Sequence, residues 1–153
     1  MATTPSSQHL RAWRMSLTAF SKIVAQLDAE LAYEGDLALD WYEVLLLLRE
    51  SQDGLRMHEL AESQLLSRSA ATRLVDRMEA AGLVRRRSSE EDRRGTFVEL
   101  TDDGLATLRR TAPIHLRGIQ EHFASHLTED EAQIVEEVMG RVAESLGADL
   151  AHR

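Results

Sequence analysis

The sequence contains no cysteine, which excludes disulfide bonds, cysteine zinc sites, thiolate nucleophiles and thiol-based redox sensing. It also lacks a long apolar run. The longest, Val44 to Leu48, is far shorter than the roughly 20 residues that a membrane-spanning helix requires. The first residues, MATTPSSQ, lack the basic and apolar regions of a secretory signal. These absences predict a cytoplasmic protein with no membrane partner.

Common enzyme motifs are absent as well. The chain has no glycine-rich phosphate loop and no G-x-S-x-G nucleophile elbow. The segment HELAE, which begins at His58, lacks the second histidine of a metalloprotease motif. We therefore expect no enzyme activity and no cofactor.

The charge of the chain is unevenly distributed. The 153 residues carry a formal net charge of -8, and 43% of them are hydrophobic, which is typical of a single folded domain spanning 1–153. The segment from Leu65 to Phe97 nevertheless holds eight arginines against five acidic residues, a net charge of +3. A basic segment on an acidic protein is typical of a nucleic-acid contact surface, because phosphates attract local positive potential.

Apolar residues recur at spacings of three and four near both ends of the chain, which indicates amphipathic helices. Such a helix near a terminus either joins two copies of the chain or packs on its own domain, and the pattern leaves both open. The last stripe follows the capping box of Thr128 and Glu131. The first stripe contains Leu10, Trp13, Leu17, Phe20, Val24, Leu27 and Leu31, and the last contains Ile134, Val135, Val138, Met139, Val142 and Leu146.

The middle of the chain predicts a helix-turn-helix. LALDWYEVLLLL is apolar nearly all round and predicts a buried central helix, and RMHELAESQLL predicts a short third helix. Ser67 can cap the next helix, which carries arginines, and Gly82 suits the left-handed residue that closes it. Two short helices joined tightly, the second one basic, are typical of this motif.

The pattern changes after this motif. LVRRRSS and GTFVEL predict two short strands on either side of the charged EEDRR, which indicates a hairpin. Thr101 can cap a following helix that runs to Leu127, and Pro113 should bend or break that helix. The predicted fold class is therefore mainly α with a small β-hairpin wing (α+β). It is a winged helix-turn-helix flanked by helices at both ends.

Two stretches in register, ELAESQLLSRSAATRLVDRMEAAGLVRR and DRRGTFVELTDDG, resemble the multiple antibiotic resistance regulator (MarR) family of bacterial transcription factors. The resemblance implies a winged helix-turn-helix DNA-binding module at 37–100 and dimerisation helices at 8–34 and 102–147. It further implies a homodimer that binds a pseudo-palindrome in double-stranded DNA. One departure is Ala38, where family members often have a capping Ser or Thr.

The basic helix suits a DNA major groove, because short polar side chains in its first turn can contact base edges. Its charges would otherwise serve only solubility. Asp76 is expected to orient an arginine within the protein. By resemblance, Arg94 enters the minor groove with Asp92 as its orienting carboxylate, and Arg86 meets a backbone phosphate. The predicted DNA contacts are Ser67, Arg68, Ser69, Thr72, Arg73, Arg77, Arg86, Arg93 and Arg94.

The resemblance also implies a small effector, aromatic or acidic, that releases a repressor from DNA. Repression is favoured because a protein that occupies a promoter blocks polymerase without further contacts. Candidate effector residues are also explained by packing, since Trp13 lies on the first apolar stripe and a lone histidine is usually structural. The candidates are Trp13, Arg14, Trp41, Arg56, His58 and His115.

The sequence leaves two alternatives open. His122 and His126 are spaced as metal ligands on one helix face would be, so a zinc-responsive regulator of the same fold is the first alternative, although the favoured interpretation has no metal site. A helical adaptor that uses the hairpin for protein contact is the second. DNA affinity that falls steeply with salt would distinguish a regulator from an adaptor. The operator, the regulated genes and the effector are not encoded in any motif.

Overall fold

The structure is a computed structural model that describes residues 4–51, 53–88 and 96–147. It is mostly helical with one small antiparallel sheet, which confirms the predicted fold class. Within these ranges, no helix is both long and apolar enough to cross a membrane. The elements are α1 (Ser7–Gly35), α2 (Leu39–Glu50), β1 (Leu55–Arg56), α3 (Met57–Ser63), α4 (Arg68–Ala80), β2 (Val84–Ser88), β3 (Thr96–Leu100), α5 (Asp102–His122) and α6 (Glu129–Ser145).

The chain forms two compact units, Met1–Leu116 and Arg117–Arg153, and the boundary between them falls inside α5. In the first unit, the core is built from one face of each helix and the inner face of the sheet. The prediction that α2 is buried is confirmed for Leu39, Tyr42, Val44, Leu45 and Leu48. Fully buried side chains include Leu31, Leu45, Leu60, Val75, Met78, Val98 and Leu108.

The second unit is built from the end of α5, one turn of 3-10 helix at Ala124–His126, and α6. Thr128 and Glu131 form the predicted capping box at the start of α6, where each side chain bonds the other residue's backbone N–H. The bond from the Thr128 backbone N–H, followed by a bond from the Thr128 hydroxyl, lowers the pKa of the Glu131 carboxyl.

The sheet has three strands in the order β1-β3-β2, all antiparallel. Val84 and Val98 are buried on its inner face. The hairpin of β2 and β3 agrees with the sequence prediction. The strand β1 was not predicted, because two residues are too few to show the alternation of a strand. The predicted third helix therefore begins at Met57, one residue later than expected, and ends at Ser63.

The predicted caps at both ends of α4 and at the start of α5 are confirmed. The Ser67 Oγ accepts the N–H of Ala70 at 3.2 Å, and Gly82 follows α4 with a φ of 76°. The Thr101 Oγ1 accepts the N–H of Gly104 at 3.0 Å. Gly104 lies so close to the residue before β2 that an added Cβ would be 2.1 Å from the carbonyl oxygen of Leu83, so only glycine fits there.

The observed course of α5 differs from the prediction in two ways. The helix continues through Pro113, so the expected break does not occur, because the neighbouring turns bury Leu108 and Thr111 and this packing outweighs the loss of one backbone hydrogen bond. A bend at Pro113 stays a prediction. The helix also ends at His122, not at Leu127. His126 lies in the 3-10 turn that follows, so His122 and His126 do not share a helix face.

The start of α2 is capped from another helix. Ala38 precedes α2 and has no side chain that could accept a hydrogen bond. The Oδ1 of Asp28 in α1 accepts the N–H of Leu39, the first residue of α2, at 2.8 Å. A carboxylate at this end of a helix also interacts favourably with the helix dipole. Asp28 therefore replaces the local cap that the sequence lacks.

We predict that Asp28→Ala lowers the free energy of unfolding by about 0.5–2 kcal/mol, the usual cost of losing an N-cap. The addition of Ala38→Ser to this variant should restore much of the loss, since serine can then cap α2 locally. Urea unfolding of the three proteins measures both effects. Equal stability of Asp28→Ala and the wild type would contradict this role of Asp28.

Candidate nucleic-acid interface

The helix α4 has one buried and one exposed face. Ala71, Leu74, Val75 and Met78 recur at helical spacing and are buried in the core. The predicted contact residues of this helix lie on the opposite face and are all exposed: Ser67, Arg68, Ser69, Thr72, Arg73 and Arg77. Packing of the apolar face thus fixes which side chains α4 presents to solvent.

The hydroxyl groups at the start of α4 are partly used within the helix. Ser67 is the N-cap, and its Oγ lies 3.2 Å from the Oγ of Ser69. Thr72 donates its hydroxyl hydrogen to the carbonyl oxygen of Arg68 at 2.9 Å. A hydroxyl oxygen that donates one bond can still accept others, so Thr72 keeps the capacity to accept from a base edge.

The arginines around α4 fall into two groups. Arg68, Arg73 and Arg77, which we call the α4 arginines, form no ion pair with any carboxylate in the part of the chain that the structure describes. Arg85, Arg86 and Arg87 of β2 all bond carboxylates. Among the described residues, the positive charge on the exposed face of α4 is therefore the part that no carboxylate pairs with.

Arg86 joins β2 to α4. Its backbone N–H donates to the Oε1 of Glu79 at 2.8 Å, and its guanidinium bonds both the Oε2 of Glu79 and the Oδ1 of Asp76, the latter at 2.6 Å. The bonds from the backbone and then the side chain of Arg86 lower the pKa of the Glu79 carboxyl. The expectation that Asp76 orients an arginine is confirmed, and that arginine is Arg86.

This geometry limits the role predicted for Arg86 itself. Its side chain is only 25% exposed, and its guanidinium already bonds two carboxylates. A phosphate contact by Arg86 stays a prediction. Glu79 was not among the predicted site residues. Its signal in the sequence was its place three residues after Asp76, which puts both carboxylates on one side of the helix.

The outer face of the sheet carries a second cluster. Glu99 of β3 accepts hydrogen bonds from Arg85, at 3.0 Å, and from Arg87. The bond from Arg87 is the main cause that lowers the pKa of the Glu99 carboxyl. The Phe97 ring lies between two guanidinium groups, with its centroid 5.1 Å from Arg56 and 5.3 Å from Arg87. These contacts join all three strands across one face.

The predicted contacts of the hairpin tip cannot be placed in the same way. Asp92, Arg93 and Arg94 lie outside the described residues. The described parts of the hairpin end at Ser88 on one strand and resume at Thr96 on the other. The minor-groove role of Arg94 and the orienting role of Asp92 therefore stay predictions.

The six candidate effector residues lie on five elements. Trp13, which is 64% exposed, and Arg14 lie on α1. Trp41 is half-buried on α2, and His58 is exposed on α3. Arg56 of β1 contacts the ring of Phe97. His115 on α5 is half-buried against Tyr42, with 4.4 Å between the ring centroids. Burial lowers the pKa of His115, and its buried Nδ1 has no hydrogen-bond partner among the described residues.

In the described ranges, no group of three or more His, Asp or Glu residues is arranged to hold a metal ion. The spacing of His122 and His126 suggested a metal site only if both lay on one helix, and they do not.

Comparison with known proteins places this arrangement in a family. Residues 36–95 match the MarR family. The crystal structure of AbsC, a MarR family transcriptional regulator from Streptomyces coelicolor, has a TM-score of 0.87 and 35% identity, covering 95% of this chain and 98% of that one. The chain belongs to the MarR family of DNA-binding transcriptional regulators.

Two further relatives agree with this assignment. Sco3205, a MarR family regulator from Streptomyces coelicolor, was solved in complex with DNA, with a TM-score of 0.90 and 33% identity over 97% of this chain and 94% of that one. A helix-turn-helix-type transcriptional regulator of Bacillus cereus is 30% identical over 128 residues, 84% of both chains.

We predict that Arg86→Met lowers the free energy of unfolding by about 1–2 kcal/mol at pH 7, because it leaves two carboxylates without their partner at a partly exposed site. The folded pKa of Glu79 lies below its ordinary value of 4.5. The contribution of the bond between Arg86 and Glu79 to the free energy of unfolding should therefore be complete above pH 4.5. It should disappear as the pH falls through the lowered pKa of Glu79.

The matched control is Arg85→Met, which removes a neighbouring arginine whose side chain is 67% exposed. It should cost less than about 0.5 kcal/mol. Denaturant unfolding at several pH values measures both variants. The role of Arg86 would be wrong if the two substitutions had the same effect at every pH.

Proposed function

We propose that this protein is a homodimeric repressor that inserts the first turn of α4 into the major groove of a pseudo-palindromic operator. The observation that carries the proposal is the exposed face of α4, where the α4 arginines have no carboxylate partner among the described residues. Ser69 and Thr72 lie beside them with hydroxyl groups that can contact base edges. This combination supports phosphate binding and base readout by one surface.

The homodimer is supported by apolar surface on two helices. On α1, Leu27 and Leu31 are buried in the first unit. The rest of the first apolar stripe is 41 to 64% exposed, and the last stripe is exposed as well, apart from the half-buried Val135. Such surface requires a partner, and a second copy of the chain is the simplest one. The exposed residues are Leu10, Trp13, Leu17, Phe20 and Val24 on α1, and Ile134, Val138, Met139, Val142 and Leu146 at α6.

Repression and release by a small aromatic or acidic effector belong to the same proposal. A symmetric dimer on a promoter excludes polymerase from the DNA that it covers. The effector is supported by the environment of His115, where an aromatic ring and a buried Nδ1 without a partner lie together. A neutral imidazole can exchange a hydrogen bond with a phenol or an acid. Trp41, adjacent to Tyr42 in α2, could add aromatic surface.

We predict that Arg73→Ala weakens binding to a duplex selected by the wild type from a random pool. Loss of a phosphate contact should reduce the slope of log affinity against log salt by about 1. Arg85→Ala is the matched control and should leave the slope unchanged, because Arg85 bonds Glu99 on the sheet.

Arg94→Ala should weaken the free energy of binding to the same duplex by about 1–3 kcal/mol if this side chain contacts the minor groove. A wild-type protein that binds no duplex in dilute salt would instead favour the adaptor.

We predict that Leu17→Asp weakens dimerisation by at least about 10-fold, because it places a charge in an apolar interface. Tyr33→Asp on the same helix is the control, since Tyr33 lies off the stripe and is 92% exposed. Analytical ultracentrifugation measures the association, and circular dichroism checks that both variants are folded. A dimer of unchanged affinity in Leu17→Asp would remove α1 from the proposed interface.

A further inference from the structure

The turn between α3 and α4 contains a backbone conformation that leucine rarely adopts. The N–H of Leu65 donates to the carbonyl oxygen of Glu62 at 3.1 Å, and the N–H of Leu66 donates to that of Ala61 at 2.8 Å. These two bonds form a Schellman motif, whose closing residue must be left-handed. That residue is Leu65, with a φ of 52°. Glycine usually takes this place, because a Cβ makes the left-handed conformation unfavourable.

The same chain closes other helices with residues that suit the conformation. At the end of α4, Gly82 and Leu83 make the two equivalent bonds, at 2.9 and 3.0 Å, and the left-handed residue is Gly82. At the end of α1, the left-handed residue is Asp36, with a φ of 50°. Aspartate tolerates this conformation because its short polar side chain can bond locally. Leu65 is the unusual case.

Packing within the chain does not compensate for this strain. The side chain of Leu65 is 93% exposed, whereas the next residue, Leu66, is half-buried. A leucine here is thus unfavourable in two ways, in its backbone and in its exposed apolar surface. Strain that is retained in a structure often marks a functional site.

The position of Leu65 identifies its partner. It lies two residues before Ser67, the N-cap of α4, and so borders the surface proposed to enter the major groove. In residues 53–88, it is the only large apolar side chain that is exposed. One isolated leucine is too small for a protein interface, which buries many residues on each side. A single apolar side chain can, however, contact a thymine methyl group.

We propose that Leu65 makes an apolar contact with the DNA at the edge of the groove that α4 occupies, either with a thymine methyl group or with a deoxyribose. The proposal rests on the placement of α4 in the major groove. The left-handed backbone turns the side chain out of the protein, and the contact supplies the burial that the free protein does not give it. Leu65 is then a DNA-binding residue that carries no charge.

The test compares Leu65→Gly and Leu65→Met with the full-length wild type on a duplex selected by the wild type from a random pool. Leu65→Gly should raise the melting temperature by about 2–4 °C, because glycine relieves the strain. The same variant should bind the duplex about 5- to 10-fold more weakly, through the loss of apolar burial. The slope of log affinity against log salt should not change, since no charge is removed. Leu65→Met should bind within about 2-fold of the wild type, because it keeps an apolar side chain.

Two results would overturn the proposal. One is a Leu65→Gly protein that binds as tightly as the wild type. The other is a Leu65→Gly protein that melts at a lower temperature, which would make the leucine a structural residue. Arg73→Ala in the same assay tests the proposed function separately. The change in salt slope of this variant depends on the placement of α4 in the groove and not on a contact by Leu65. A duplex with uracil in place of thymine identifies the contact: the loss disappears there if Leu65 meets a methyl group and persists if it meets deoxyribose.

Discussion

The bond network of Arg86 holds the DNA-binding module together. Through Glu79 and Asp76 it fixes β2 against the last two turns of α4, with bonds from both its backbone and its guanidinium. The proposed contact with two grooves at once requires that α4 and the hairpin keep a constant angle. The core beneath them sets their approximate position, and these directed bonds fix the orientation more narrowly.

The network also explains how an acidic protein can present a basic surface. A cluster of arginines in the sequence is ambiguous, because each can bind phosphate or an internal carboxylate. In the structure, the arginines of β2 pair with Asp76, Glu79 and Glu99, whereas those of α4 have no carboxylate partner among the residues that the structure describes. Charge that serves folding and charge that is available to a ligand therefore lie a few residues apart on neighbouring elements.

The parts of this fold that were predictable from sequence are those governed by local rules. Helical periodicity, the cap at Ser67, the left-handed glycine at Gly82 and the capping box of α6 depend on residues a few positions apart. The Asp28 cap on α2, the strand β1 and the shared carboxylate of Glu99 depend on residues distant in sequence. Such contacts leave no periodic signal. Pro113 shows the converse, a strong local signal that tertiary packing overrides.

The partial burial of the Arg86 bridge separates two responses to ionic strength. Mobile ions screen exposed charges over about 10 Å at 0.1 M salt but screen partly buried pairs much less. The α4 arginines, which we propose to contact phosphates, are exposed, whereas the Arg86 side chain is one quarter exposed. Added salt should therefore release the regulator from DNA while the bonds between β2 and α4 stay intact, so that rebinding needs no refolding.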